Sequence, residues 1–248
     1  MRLKIAGLAL VAGAVTAPLI SSPAEAAALS ANAPGTVAAA PAASAAAPPT
    51  LHYGSKGKYV TYLQKRLRAL RYDPGSVDGR YGKDTLYAVW AFQKVNGLKP
   101  GGKGTVGKGT WRALARPKSP VRIVKKPAAN RVEISKKRQL VVVYKNNRVY
   151  LISHTSTGNN KRYCYKGECD VARTPSGNFK VTRKINGWRH AKLGDLYKPI
   201  YFYRGWALHG SPSVPLYPAS HGCARLPMKH TADLMFKIIP VGFRVYVR

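Results

Sequence analysis

The chain has 248 residues and a formal net charge of +33, from 42 Lys and Arg against 9 Asp and Glu. That length leaves room for more than one folded unit, and so one-sided a charge draws the protein toward polyanions. The basic residues are spread along the whole chain, and no recognition-helix pattern, aromatic RNA-binding strand or paired zinc-ligand spacing accompanies them, which excludes nucleic acid as the expected partner.

Arg2 and Lys4 precede an apolar run, Ile5 to Ile20, and Ala24-Glu25-Ala26 fits an A-x-A cleavage site. Residues 1–26 therefore read as a secretory signal peptide. Gly7, Gly13 and Pro18 interrupt the run, and it falls short of the about 20 apolar residues that span a bilayer. No cysteine follows it for lipid attachment, and no transmembrane segment is expected after cleavage. The expected setting is extracytoplasmic, secreted or held at the cell wall, where anionic wall polymers match the charge. Residues 27–50 are almost entirely Ala, Pro, Ser, Thr and Gly, too poor in large apolar groups to bury a core, and read as a flexible linker.

Residues 51–116 carry helical periodicity. Val60, Leu63, Leu67 and Leu70 share one face, and Asp73-Pro74-Gly75 ends that helix. Asp78-Gly79-Arg80-Tyr81-Gly82 is a second turn, after which Asp84 or Thr85 begins a helix through Leu86, Val89, Trp90 and Phe92 that Gly97 stops. A third short helix carries Trp111 and Leu114. Leu63-Gln64-Lys65 is echoed by Phe92-Gln93-Lys94. With Leu51…Gly54-Ser55-Lys56-Gly57, Val77-Asp78-Gly79-Arg80-Tyr81-Gly82 and the closing Gly109-Thr110…Leu114, the segment resembles the small three-helix peptidoglycan-binding domain. The resemblance implies affinity for the glycan or stem peptide of the wall. The glycine- and lysine-rich stretch 99–108 departs from the family pattern by lacking its acidic turn residue.

Residues 117–129, with three prolines and several lysines, read as a second linker. From 130 the pattern turns to strands. Gln139 to Tyr144 is a β-branched run that Asn146-Asn147 can turn back into Val149 to Ile152. Further strands are expected over 177–182, 200–203, 206–209, 222–226 and 241–247. One amphipathic helix is expected over 227–238, with Pro227 in its first turn. The fold class expected for 130–248 is a mainly β, sandwich-like domain with one or two helices, preceded by the small all-α domain of 51–116.

The three cysteines are Cys164, Cys169 and Cys223. In an oxidising compartment two can pair and one is left over. The simplest arithmetic closes the short Cys164–Cys169 loop and leaves Cys223 free; a bridge from Cys223 to either of the others is the alternative. Cys223 follows Ser220-His221-Gly222, and His209-Gly210-Ser211 lies upstream. A thiol presented after a glycine, with a histidine in reach to take its proton, suits nucleophilic catalysis. On a strand, His221 lies on the same side as Cys223 but beside it, so His209 on another strand is the better base. The amides of Gly222 and Cys223 are the expected oxyanion donors.

These motifs, with Arg225 after the cysteine and the strips Ser156-Thr157-Gly158 and Thr174-Pro175-Ser176-Gly177-Asn178-Phe179, make residues 130–248 similar to the L,D-transpeptidase (YkuD-type) catalytic domain. The resemblance implies an enzyme with Cys223 as nucleophile and His209 as general base. Ser220, His221 and Gly222 fall on its active-site loop; Arg225, Gly210 and Ser211 fall where substrate is held. It implies two-step acyl transfer on a peptidoglycan tetrapeptide stem, giving 3→3 cross-links, with no cofactor and no metal. L,D-carboxypeptidase action or D-amino-acid exchange would use the same groups. The Cys164–Cys169 loop and the aromatic, basic stretch 186–204 depart from the family and are expected to form a lid.

Three rivals compete. A zinc peptidase needs three or four ligands, and no His-Glu-x-x-His occurs. A papain-like peptidase places its cysteine before its histidine, the reverse of the order here. A non-catalytic wall-binding protein has no need of Cys223 and His209 together.

Overall fold

The computed structural model describes residues 47–248. The expected signal peptide and nearly all of the first linker lie outside the described residues. Three helices come first: α1 (Lys58–Ala69), α2 (Lys83–Val95) and α3 (Lys108–Ala115). Val60, Leu63 and Leu67 on one face of α1 are fully buried, each contributing about 2 kcal/mol by leaving water. The echoed glutamines have the same structural task. The Gln64 side-chain amide donates to Asp78 Oδ1 at 2.9 Å and Thr85 Oγ1 at 3.1 Å, and its oxygen accepts the Gly79 amide at 2.9 Å. Gln93 donates to the Thr105 carbonyl at 2.9 Å and Thr110 Oγ1 at 3.1 Å. Each helix thus fastens the turn that follows it through one buried amide.

The rest of the chain is mainly β. Its strands are β1 (Arg131–Ser135), β2 (Leu140–Lys145), β3 (Arg148–His154), β4 (Arg162–Tyr165), β5 (Glu168–Val171), β6 (Gly177–Lys180) and β7 (Arg183–Lys184). Then come β8 (Trp188–Ala191), β9 (Gly194–Tyr203), β10 (Trp206–Ser211), β11 (Ala224–Pro227), the helix α4 (His230–Ile238) and β12 (Arg244–Val247). One sheet runs β3-β2-β1-β12-β6 and the other β11-β10-β9-β7, with β8 also paired to β9. Val132, Ile134, Val141 and Val143 of the first sheet meet Ile200, Phe202, Leu208 and Leu226 of the second, and Met235 of α4 closes the core. Asn146 and Asn147, at φ 49° and 60°, make the turn between β2 and β3, as a two-residue hairpin requires.

Helical and β segments are not separate bodies. Side chains alternate along β2: Val141 and Val143 enter the sandwich, while Leu140, Val142 and Tyr144 join Phe92, Trp90 and Tyr72 in a second core. That is why the β2 run is apolar without a break. The Arg71 carbonyl accepts the Ile152 amide at 2.8 Å. Asp73, in the turn after α1, accepts from His230 Nδ1 at 2.8 Å and Thr231 Oγ1 at 2.9 Å. Residues 117–129 are free of helix and strand. Pro227 ends β11, and α4 begins at His230; the helix expected from residue 227 starts later because the parallel pairing to β10 runs through Pro227.

Candidate active site

β10 and β11 run parallel, with Leu208 opposite Ala224 and His209 opposite Arg225. Cys223 lies immediately before β11. This pairing brings His209, Cys223 and Arg225 to one cavity of about 760 Å³, whose wall also includes Ser211, Ser220 and His221. Cys223 is the free cysteine, and Cys164 is bridged to Cys169, so the simpler arithmetic holds.

The loop carrying Cys223 is held by the two upstream strips. The Ala219 and Ser220 amides donate to the Thr157 carbonyl at 2.9 and 3.0 Å, and the Asn159 amide donates to the Ser220 carbonyl at 3.1 Å. Thr174 Oγ1 accepts the Gly158 amide at 2.8 Å and donates to the Gly222 carbonyl at 2.5 Å. Ser220 Oγ donates to the Cys223 carbonyl at 2.5 Å and accepts the Gly222 amide at 3.0 Å. Gly222 sits at φ 140°, and a Cβ there would meet Trp206 Nε1 at 2.6 Å and the Arg173 carbonyl oxygen at 3.0 Å. Glycine is required at this position by both conformation and space.

The Gly222 amide is thus committed to Ser220 Oγ, which removes it from the expected pair of oxyanion donors. The Cys223 amide makes no hydrogen bond among the described residues and remains available. Gly210 also departs from expectation. It is absent from the cavity wall, and a Cβ on it would meet Ala232 and Tyr197 at 2.9 Å. Its smallness seats α4 and β9 behind His209 rather than contacting substrate.

Burial pushes the Cys223 thiol up, against smaller opposing effects of the Ala207 backbone and the Arg225 charge. Burial pushes His209 down to about 4; the Gly210 carbonyl opposes this and Arg225 adds to it. His209 Nδ1–H donates to the Gly210 carbonyl at 2.9 Å, which fixes the tautomer with the lone pair on Nε2. The sulfur makes a weak contact with the Gly205 carbonyl at 3.8 Å, and no hydrogen bond joins it to the imidazole. Burial thus favours the neutral form of both groups. His221 is exposed and packs edge-on against Tyr163 at 5.0 Å between ring centroids.

Two hairpins frame the cavity. The β4–β5 hairpin, crossed by the Cys164–Cys169 bridge, contributes Tyr163 and Asp170; the β8–β9 hairpin contributes Trp188, Leu193 and Leu196. Lys192 Nζ reaches Glu168 at 2.6 Å and joins the two. Sequence reasoning named these segments as a lid and expected a strand only over 200–203, within β9. It left Thr174 and Trp206 without roles, although Thr174 lay inside a strip already singled out. Among the described residues no group of three His, Cys, Asp or Glu side chains is placed to hold a metal ion.

The profile of the L,D-transpeptidase catalytic domain matches residues 129–247, and that of a peptidoglycan binding domain matches residues 56–114. An L,D-transpeptidase crystal structure from Xylanimonas cellulosilytica is 38% identical, covers 82% of this chain and 98% of its own, and superposes with a TM-score of 0.75. One from Stackebrandtia nassauensis is 25% identical, with 82% and 97% covered and a TM-score of 0.47. A protein from the bpoA1 3' region of Kitasatospora aureofaciens is 43% identical over 67 residues, 27% of this chain. The chain spans only 55% of the length of that relative. With its cysteine loop, its parallel β10–β11 pair and a 38% identical relative covered almost end to end, the chain belongs to the L,D-transpeptidase family.

Proposed function

We propose that the chain is an exported cysteine acyltransferase that cuts the L–D peptide bond of a peptidoglycan tetrapeptide stem and transfers the acyl group to a neighbouring stem. The observation that carries this reading is the company Cys223 keeps. Its thiol is free, its own amide is unpaired, and it shares a cavity with an imidazole whose tautomer leaves Nε2 unprotonated.

In the first step Cys223 Sγ attacks the carbonyl carbon after the L-centre of the third stem residue while His209 Nε2 takes the thiol proton. The unpaired Cys223 N–H would donate to the developing oxyanion. Collapse breaks the C–N bond, His209 returns the proton to the leaving amine, and D-alanine departs. In the second step an acceptor amine attacks the thioester, loses its proton to His209, and the sulfur leaves as the thiol when that proton returns. A thioester suits this sequence because it stays reactive toward amines. Arg225, opposite His209 in the parallel pair and on the wall of the same cavity, would meet a substrate carboxylate. The contact with Gly205 must give way when substrate enters, as apo hydrogen bonds at catalytic groups commonly do.

A carbapenem should add its full mass to Cys223, and the adduct should vanish in Cys223→Ala. Muropeptide analysis after incubation with tetrapeptide-bearing wall fragments should show 3→3 dimers. Tripeptides alone would indicate carboxypeptidase action, and exchanged fourth residues would indicate D-amino-acid exchange. Absence of any adduct or new product would leave wall binding as the function.

A further inference from the structure

A second cavity, of about 450 Å³, lies between α2 and the segment that follows β10. Pro212 and Ser213 line both this cavity and the one containing Cys223, so one short stretch of chain is their common wall. The opposite wall is the helical segment, with Leu86, Tyr87 and Trp90 from α2 and Tyr53 from the preceding turn. Tyr53 is 47% exposed. Lys83 and Lys103 lie on the rim, and neither makes an ion pair among the described residues.

The wall is held in place before any ligand arrives. Tyr87 stacks on the buried His154 ring at 5.9 Å, and Trp90 meets that ring edge-on at 5.3 Å. His154 Nε2–H donates to the Val214 and Pro215 carbonyls at 3.0 Å, and its Nδ1 accepts from Lys94 at 2.8 Å. One imidazole therefore ties α2 to the segment carrying Pro212 and Ser213. A groove set this way loses little freedom on binding.

We propose that this groove holds the sugar backbone of the peptidoglycan strand whose stem peptide occupies the catalytic cavity, an inference that rests on the acyl-transfer reading above. Aromatic rings and prolines present apolar faces to the C–H faces of pyranose rings. The two lysines, each with three N–H donors, can donate to the hydroxyls and N-acetyl carbonyl oxygens of the sugars. A volume of about 450 Å³ falls in the range that buries a small ligand. The shared wall sets the geometry: a stem peptide in the Cys223 cavity leaves over Pro212 and Ser213, and the sugar to which it is joined arrives in the groove. The helical segment then acts as part of the substrate site and not only as a remote tether.

The test uses the full chain carrying Cys223→Ala, so that binding is read without turnover. Calorimetry compares a disaccharide-tetrapeptide with the bare tetrapeptide. The expected result is at least ten-fold tighter binding of the sugar-bearing fragment. That gain should be lost in the Tyr53→Ala/Lys83→Ala/Lys103→Ala combination, with the affinity for the bare tetrapeptide unchanged. Equal affinity for the two fragments, or a sugar gain that survives the triple variant, overturns the proposal. Turnover by the chain with native Cys223 is measured separately. Sugar-dependent binding without turnover sinks the acyl-transfer reading alone, and turnover of the bare tetrapeptide without a sugar gain sinks this one alone.

Discussion

The protonation state of the Cys223–His209 pair can be tested without substrate. Burial pushes the Cys223 thiol above its ordinary value, so the neutral thiol is favoured at pH 7. His209 at about 4 is charged in only about 0.1% of molecules at the same pH. Together these favour the neutral pair over a standing thiolate–imidazolium pair. Iodoacetamide labelling of Cys223, followed by intact mass, should accelerate about ten-fold per pH unit from 6 to 8.5 with no plateau, since only the thiolate reacts. The bridged Cys164 and Cys169 stay silent without reductant. His209→Ala should leave this labelling profile nearly unmoved while slowing carbapenem acylation by about 10²–10⁴-fold, the range for loss of a general base. A flat labelling rate between pH 5 and 8 in the wild type, abolished in His209→Ala, would refute the neutral-pair reasoning.

Three further outcomes follow from the fold and the site. Thr174→Val removes the hydroxyl that links Gly158 to Gly222; unfolding stability should fall by about 1–3 kcal/mol, and carbapenem acylation should slow, checked by thermal melting and intact mass. Burial holds Lys94 down at about 7, so the folded state binds fewer protons than the unfolded one between about pH 7 and 10.5, and wild-type stability rises with pH in that window. Relative to Lys94→Met, denaturant titrations should show the wild type gaining up to about 1.4 kcal/mol per pH unit, and parallel pH profiles would contradict this. The double variant Cys164→Ser/Cys169→Ser opens only a short hairpin whose bridge constrains few residues; its melting temperature should stay near wild type while the KM for tetrapeptide fragments rises, because the Tyr163 and Asp170 wall of the cavity loosens.

The readability of each part followed from what its side chains do. Helices α1 and α2 were legible because Val60, Leu63, Leu67, Val89 and Phe92 bury one face and leave a 3.6-residue rhythm. The β2 run was legible as strand, but its two-sided burial was not, because an unbroken apolar stretch gives no sign of what covers each face. Strand β8 is exposed along its whole length, so no alternation marks it. That Cys223 and His209 share one cavity was legible from Ser220-His221-Gly222-Cys223 and His209-Gly210-Ser211. The hydrogen bonds that redirect the Gly222 amide, and the packing that turns Gly210 toward α4, depend on residues far off in sequence and carried no local signal.

The two-faced burial of β2 bears on how the protein can be handled. Cutting the chain near residue 117 to obtain a minimal enzyme would bare Leu140, Val142, Tyr144 and Ile152, an oily strip on an otherwise cationic surface. Such a fragment would tend to self-associate, and inhibitor screens run on it would reward compounds that merely coat the strip.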